Sequence, residues 1–181
     1  MAEQDRPIGA RTLVLMRHAA AGGAARDHDR PLTSEGVRSA TEAGRWMRAN
    51  LPPVTLTICS TATRTRQTRA AADVAGDVRY SEELYGGGVD DILDQIAGVP
   101  DGIVTLLVVG HAPTIASTAW ELVTQAALAA GEPTDGDGAG EDGERLRHFA
   151  AGTFAVLTTG ARWADLSEVG AALRSVWHPV P

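Results

Sequence analysis

Three apolar runs in this sequence each end in residues able to do chemistry. LVLM (13–16) stops at Arg17–His18, and TLTICS (55–60) stops at Ser60 with Arg64 four residues on. TLLVVG (105–110) is followed directly by His111. Two arginines offer planar forks of N–H donors that match phosphate oxygens two at a time. A histidine with an ordinary pKa near 6.5 can act as a nucleophile toward phosphorus around neutral pH. A helix starting after His111 would add backbone N–H groups and a favourable dipole. The combination points to phosphoryl transfer through a phosphohistidine, with the protein supplying positioning and charge stabilisation. Each group alone has a plainer reading. Arg17–His18 could be the polar end of a capped strand, His111 a satisfied core histidine, and Arg64 a surface arginine like Arg66 and Arg69.

The three groups gain weight from the elements that would carry them. TLVLM (12–16), TLTICS and TLLVVG read as buried strands, with VRY (78–80) a short third strand and FAVLTT (154–159) a further one. Helical spacing covers Val37, Ala40, Gly44, Met47 and Leu51, with Thr33 as N-cap, Glu35 in the first turn and Pro52–Pro53 as terminator. Further helices are expected over 63–76, over VDDILDQIAG (89–98) and from Pro113 to about residue 130. WADLSEV is expected as an edge strand and AALRSVW as a short terminal helix. Alternating strands and helices predict a three-layer α/β/α sandwich around an open, mostly parallel sheet. Ligands bind at the carboxyl ends of strands in such sheets, so Arg17, His18, Arg64 and His111 should converge on one edge.

Composition narrows the function classes. The chain has 181 residues with 44% apolar and 22% charged residues, consistent with one domain spanning 1–181. Residues 1–10 read as an N-terminal extension without the basic and apolar regions of a signal peptide. No apolar run is long enough for a membrane span, and the lone Cys59 cannot form an internal disulfide. The expectation is a cytoplasmic protein that engages neither membrane nor nucleic acid. Of the net charge of −7, six acids fall in the glycine-rich stretch 131–144, expected to be a solvated, mobile loop. The remainder is nearly neutral, without the basic surface that a duplex binder needs. All 16 basic residues are arginine, which excludes Schiff-base and Walker A lysine chemistry.

RHA at 17–19, STATRTRQT at 60–68 and GHAP at 110–113 together resemble the histidine phosphatase superfamily, which also contains the cofactor-dependent phosphoglycerate mutases. The segment from Asp27 to Gly36, D-x-D-R-P-L-T-x-x-G, is similar to the short SixA-type phosphohistidine phosphatases. The resemblance implies the phosphoglycerate mutase-like fold, with His18 as phosphate acceptor and Arg17, Arg64 and His111 holding the phosphoryl oxygens. It implies hydrolysis of the phosphoenzyme by water, with no cofactor and no metal. The implied substrate is a phosphorylated protein bearing phosphohistidine, or a small phosphorylated metabolite. Mutase-like activity is the nearest alternative, although the chain has little material for a covering lid. A catalytically idle phosphate-binding module is the alternative from another class.

Two features depart from the family pattern. Ala19 stands where glycine is usual, which matters only if that backbone needs a positive φ. The general acid of mutase-like members lies in a segment resembling E-x-x-Y-G, and SEELYGG offers Glu82 at that spacing, with Glu83 beside it. An imidazole leaving group that already carries a proton needs such an acid less than an alkoxide does. Asp27-His28-Asp29 has the look of a metal triplet, but neighbouring residues in a loop rarely converge on one ion. Arg30 could reach the phosphate or tie down its own loop. His148 and His178 read as structural or exposed, the four tryptophans as packing, and Cys59, with four residues between it and Arg64 instead of the five of C-x5-R, as a buried small hydrophobe.

Overall fold

The computed structural model describes residues 9–131 and 145–180. The N-terminal extension and the acidic glycine-rich stretch therefore lie outside the described residues, apart from their edges. The chain alternates strands and helices: β1 (Arg11–Arg17), α1 (Ser34–Asn50), β2 (Leu56–Ser60), α2 (Thr63–Ala72) and β3 (Asp77–Ser81). Then follow α3 (Glu83–Gly86), α4 (Val89–Ala97), β4 (Thr105–Gly110), α5 (Thr114–Ala130), β5 (Phe154–Thr159) and β6 (Ala172–Trp177). The six strands form one sheet in the order β3-β2-β4-β1-β5-β6. Strands β1 to β4 are parallel, and β5 pairs antiparallel with both β1 and β6. This is the mostly parallel sheet with flanking helices expected from the sequence.

The central strands are continuously apolar because both of their faces are covered. Leu13 and Leu15 face one core layer with Leu106, Val108, Ile115 and Leu122. Val14 and Met16 face the other with Ala43, Met47, Leu107 and Val109. Each layer buries a helix pair: α4 and α5 on the first face, α1 and α2 on the second.

Helix α1 starts where Thr33 was expected to cap it, with Thr33 Oγ1 accepting from Gly36 N at 3.0 Å. Its buried face keeps Ala40, Gly44 and Met47 of the expected stripe but not Val37. It consists of Gly36, Ser39, Ala40, Ala43, Gly44 and Met47, while Val37 is 46% exposed. Small residues dominate because the helix presses against backbone at both ends. A Cβ on Gly44 would overlap the Ala72 carbonyl at the end of α2, and one on Gly36 would overlap the Ala20 carbonyl.

The C-terminal assignments are reversed. AALRSVW is not a helix but strand β6, and WADLSEV is not a strand but a 3-10 turn (Trp163–Asp165) running into one helical turn (Leu166–Val169). Trp163 and Leu166, three residues apart, both enter the core, which suits a helical turn. Strand β6 buries Leu173 and exposes Ala172 and Arg174, but a bulge opposite Val156 and Leu157 breaks the alternation. Two smaller differences follow. Helix α2 ends at Ala72, four residues early, with Asp73 in a left-handed conformation (φ 48°). Pro113 occupies the N-cap of α5 rather than its first turn.

Candidate active site

Three strand ends deliver the site. Arg17 closes β1 in register with Gly110 of β4, and His18 N donates to Gly110 O at 3.0 Å. Gly152 N returns a bond to His18 O at 2.9 Å, so the backbone around His18 is held from two sides. His111 follows β4, and Arg64 projects from the first turn of α2 behind Ser60. The His18 and His111 rings meet edge to face, with centroids 5.3 Å apart. A cavity of about 490 Å³ is lined by Arg17, His18, Asp27, Arg30, Arg64, Tyr85, His111 and Ala112. The four residues expected to converge therefore do so.

The family-like motifs also lock to one another. Thr68 Oγ1 donates to Arg64 O at 2.7 Å and accepts from Ala19 N at 3.0 Å. Gln67 Oε1 accepts from Leu32 N at 2.7 Å, tying α2 to the segment before α1. Thr33 N in turn donates to Ala20 O at 2.9 Å. The segment after His18 is thus clamped by both neighbouring motifs. Ala19 fits it without strain: the residue is fully buried, and Asp73 is the one non-glycine with positive φ among the described residues.

The hydrogen bonds fix how each ring is used. His18 Nδ1 lies 2.8 Å from Ala19 O, an acceptor, so the neutral ring carries its proton on Nδ1 and leaves a lone pair on Nε2. Burial pushes the His18 pKa down to about 4, Arg64, Arg17 and Arg30 add to this, and the Ala19 bond opposes it. Arg64 Nη2 donates to His111 Nδ1 at 3.3 Å, and His111 Nε2 faces Ser60 Oγ at 2.9 Å. Because a guanidinium only donates, His111 must carry its proton on Nε2. Its pKa falls to about 3, through burial first and then the charges of Arg64 and His18. Both histidines are neutral at pH 7.

Arg17 Nη1 donates to Phe149 O at 2.8 Å, and burial lowers its pKa. Arg64 reaches Asp27 twice, from Nη1 to the backbone oxygen at 2.7 Å and from Nη2 to Oδ2 at 3.0 Å. Arg30 ties down its own loop, with Nε donating to Gly22 O at 2.7 Å, and its side chain also lines the cavity.

Other candidates lie elsewhere. Glu82 is exposed and outside the cavity lining, and it accepts from Thr61 Oγ1 at 2.5 Å. Glu83 is exposed and bonded to Gln95. The Asp27–Asp29 turn does not converge. Asp27 faces Arg64 and Arg30, Asp29 faces Arg26, and His28 Nε2 faces Thr61 Oγ1 at 3.1 Å. Cys59 is buried, which pushes its thiol up to about 12, so it is no nucleophile. Arg66 packs over the Tyr80 ring, and Arg69 bonds the Val74 and Gly76 carbonyls rather than being fully solvated. His148 is exposed, and His178 Nδ1 lies 3.3 Å from Thr153 Oγ1.

The sequence reading missed Tyr85 and gave Asp27 no role. Tyr85 OH donates to Asp27 Oδ2 at 3.0 Å, and its ring stands edge to face with His28 and His111. The available signal was their position inside motifs already singled out, D-x-D-R-P-L-T and SEELYGG.

Residues 13–85 match the model of the histidine phosphatase superfamily (branch 1), a span that takes in Arg17, His18 and Arg64. An uncharacterised protein of Mycobacterium tuberculosis is 42% identical over 166 residues, covering 87% of this chain and 96% of its own length. One from Mycobacterium leprae is 36% identical over 148 residues, covering 81% and 85%. The solved structure of a Nakamurella multipartitia protein, provisionally assigned as the phosphohistidine phosphatase SixA, superposes with a TM-score of 0.92. It is 60% identical, over 97% of this chain and all of that one. The protein histidine phosphatase SixA complexed with tungstate shares the fold at 19% identity and a TM-score of 0.71, over 91% and 95% of the two chains. With its motifs gathered at one sheet edge and its geometry shared over almost the full length of a 60% identical protein, the chain belongs to the histidine phosphatase superfamily and is of the SixA type.

Proposed function

We propose that this protein is a phosphohistidine phosphatase that works through a covalent phosphoenzyme on Nε2 of His18, without a metal. The observation that carries the reading is the His18 Nδ1 contact with Ala19 O inside a pocket of three arginines. It aims an unprotonated Nε2 at a site suited to a phosphoryl group. The Nε2 lone pair attacks phosphorus in line, and the bond from phosphorus to the substrate nitrogen breaks with its electron pair going to that nitrogen. The leaving imidazole already carries a proton on its other nitrogen and departs neutral. Water then attacks phosphorus, the P–Nε2 bond returns its pair to His18, and the water's proton passes to solvent as phosphate leaves.

Arg17 and Arg64 neutralise the charge on the transferring oxygens, as preorganised donors do in phosphoryl transfer. His111 holds Arg64 through Nδ1 and is itself held by Ser60. A leaving group that would depart as an alkoxide, as from a sugar or serine phosphate, would need a proton donor, and the pocket offers poor ones. Asp27 is ionised, with its pKa pulled down to about 2 by the Arg30 and Tyr85 hydrogen bonds and by Arg64, and Glu82 stands outside behind Thr61. That favours a leaving group that brings its own proton, which supports phosphohistidine over sugar phosphates.

The test is turnover of a phosphohistidine peptide, a phosphoserine peptide and sugar phosphates, with and without EDTA. The phosphohistidine peptide should dominate, with EDTA making no difference. Rates led by sugar phosphates would replace this reading with a metabolite phosphatase.

A further inference from the structure

The scheme above leaves unused the one carboxylate that lines the cavity among the described residues. Asp27 sits at the mouth of the pocket with its side chain 55% exposed. Arg30 Nη1 donates to its Oδ1 at 3.1 Å, while Arg64 Nη2 and Tyr85 OH donate to its Oδ2 at 3.0 Å each. These bonds hold the carboxylate in place as well as ionised. A fixed negative charge among arginines weakens the pocket for any anion, so its presence needs a reason beyond affinity.

The backbone bond from Arg64 Nη1 to Asp27 O shows that Arg64 is braced from this turn whether or not the side chain is acidic. What the carboxylate adds is charge. Repulsion between it and an incoming group grows in proportion to the charge that group carries, and it acts most on charge held at the mouth. A transferable phosphoryl group beside His18 meets Arg17 and Arg64, whereas a second anionic group on its carrier meets Asp27.

We propose that Asp27 is a charge filter: its carboxylate, fixed by Arg64, Arg30 and Tyr85, excludes carriers with further negative charge beside the transferable phosphoryl group and admits neutral or cationic carriers. This rests on the phosphoryl site proposed above. Protonated phosphohistidine is such a carrier, while pyrophosphate and sugar bisphosphates are not.

Calorimetric titration of phosphate and pyrophosphate into the wild type and Asp27→Asn tests this without requiring turnover. Loss of bracing would change both affinities by one factor, whereas loss of charge changes them unequally. The ratio of pyrophosphate to phosphate affinity should rise roughly fivefold in Asp27→Asn, the size expected for one extra unit charge about 4 Å away when solvent screens the half-exposed carboxylate as bulk water does. Asp27→Glu should keep the wild-type ratio, and Asp27→Ser replaces the asparagine variant if that one fails to fold. In turnover, the neutral variant should gain on sugar bisphosphates relative to monophosphates by a similar factor. An unchanged ratio in the neutral variants overturns the filter, even where both affinities fall. Failure of the catalytic reading would show separately, as a wild type that binds these anions but turns nothing over.

Discussion

His18 Nδ1 lies 2.8 Å from the carbonyl oxygen of its own neighbour, Ala19, and that contact decides which nitrogen faces the cavity. The Ala19 N–H is taken by Thr68 Oγ1 at 3.0 Å, so the residue whose carbonyl orients the ring is itself anchored to α2. A phosphoenzyme trapped during turnover should therefore be linked through Nε2, acid-labile and base-stable, and absent in His18→Ala. Phosphorus–proton correlation NMR on the trapped protein distinguishes the two nitrogens. An Nδ1-linked adduct would contradict the orientation.

Arg64 and Glu82 should respond in opposite ways to conservative change. Arg64 uses both terminal nitrogens at once, on Asp27 and His111, which a lysine cannot reproduce. Arg64→Lys should lower kcat by about a hundredfold, comparable to removing one transition-state donor. Glu82→Gln removes only a partner of Thr61 at the surface and should change kcat less than about threefold, within the range of surface substitutions. Steady-state kinetics on one phosphohistidine peptide compares the two directly. A large Glu82 effect would restore it as a proton donor.

Much of this site was legible because its main residues follow strands buried on both faces. A run such as LVLM or LLVV has one reading, and its carboxyl end fixes where the next polar residue goes. Ala19 was settled only by the backbone, since sequence cannot give φ. The C-terminal hairpin strand was misread because a bulge at Val156 and Leu157 spoils its period of two. The Asp27–Tyr85 bond joins residues 58 apart, both in irregular segments, and no periodicity records such a pairing. Val37 shows the same limit on α1. Helical spacing found the helix, but the close approach to backbone selected its small-residue face.

The two active-site histidines should make the protein acid-sensitive above the range where carboxylates titrate. An unfolded histidine has a pKa of 6.5, while folded His18 and His111 lie near 4 and 3. Above pH 6.5 both are neutral in either state and contribute no pH dependence. As pH falls below 6.5 the unfolded chain binds protons that the folded chain refuses, so stability drops down to about pH 4 for His18 and about pH 3 for His111. Asp27 is shifted downward as well, and because its folded form holds the charge more readily, its contribution is present above pH 3.8 and lost as pH falls toward 2. Tm should therefore fall by several degrees between pH 7 and 4.5 at constant ionic strength. The His18→Gln, His111→Asn double variant should flatten that slope, and an equally steep slope would assign the effect to other groups.

Gly36 and Gly44 separate stability from catalysis on one helix. Both face the core side of α1, and in both a Cβ would overlap a carbonyl, that of Ala20 for Gly36 and that of Ala72 for Gly44. Each alanine variant gains helix propensity of about 1 kcal/mol but must push backbone aside, for a net loss of roughly 2 kcal/mol. The consequences for activity differ, because only Ala20 belongs to the segment that orients His18. Ala20 O accepts from Thr33 N at 2.9 Å and from Thr33 Oγ1 at 3.3 Å, so displacing it loosens both the α1 cap and the peptide next to Ala19. Gly36→Ala should lower kcat by tenfold or more, the order seen when a small displacement reaches a reacting group. Gly44→Ala should melt lower yet turn over normally below its Tm. Thermal melts and single-turnover rates on both variants check this, and equal kcat values would mean that His18 is positioned by β4 and Gly152 alone.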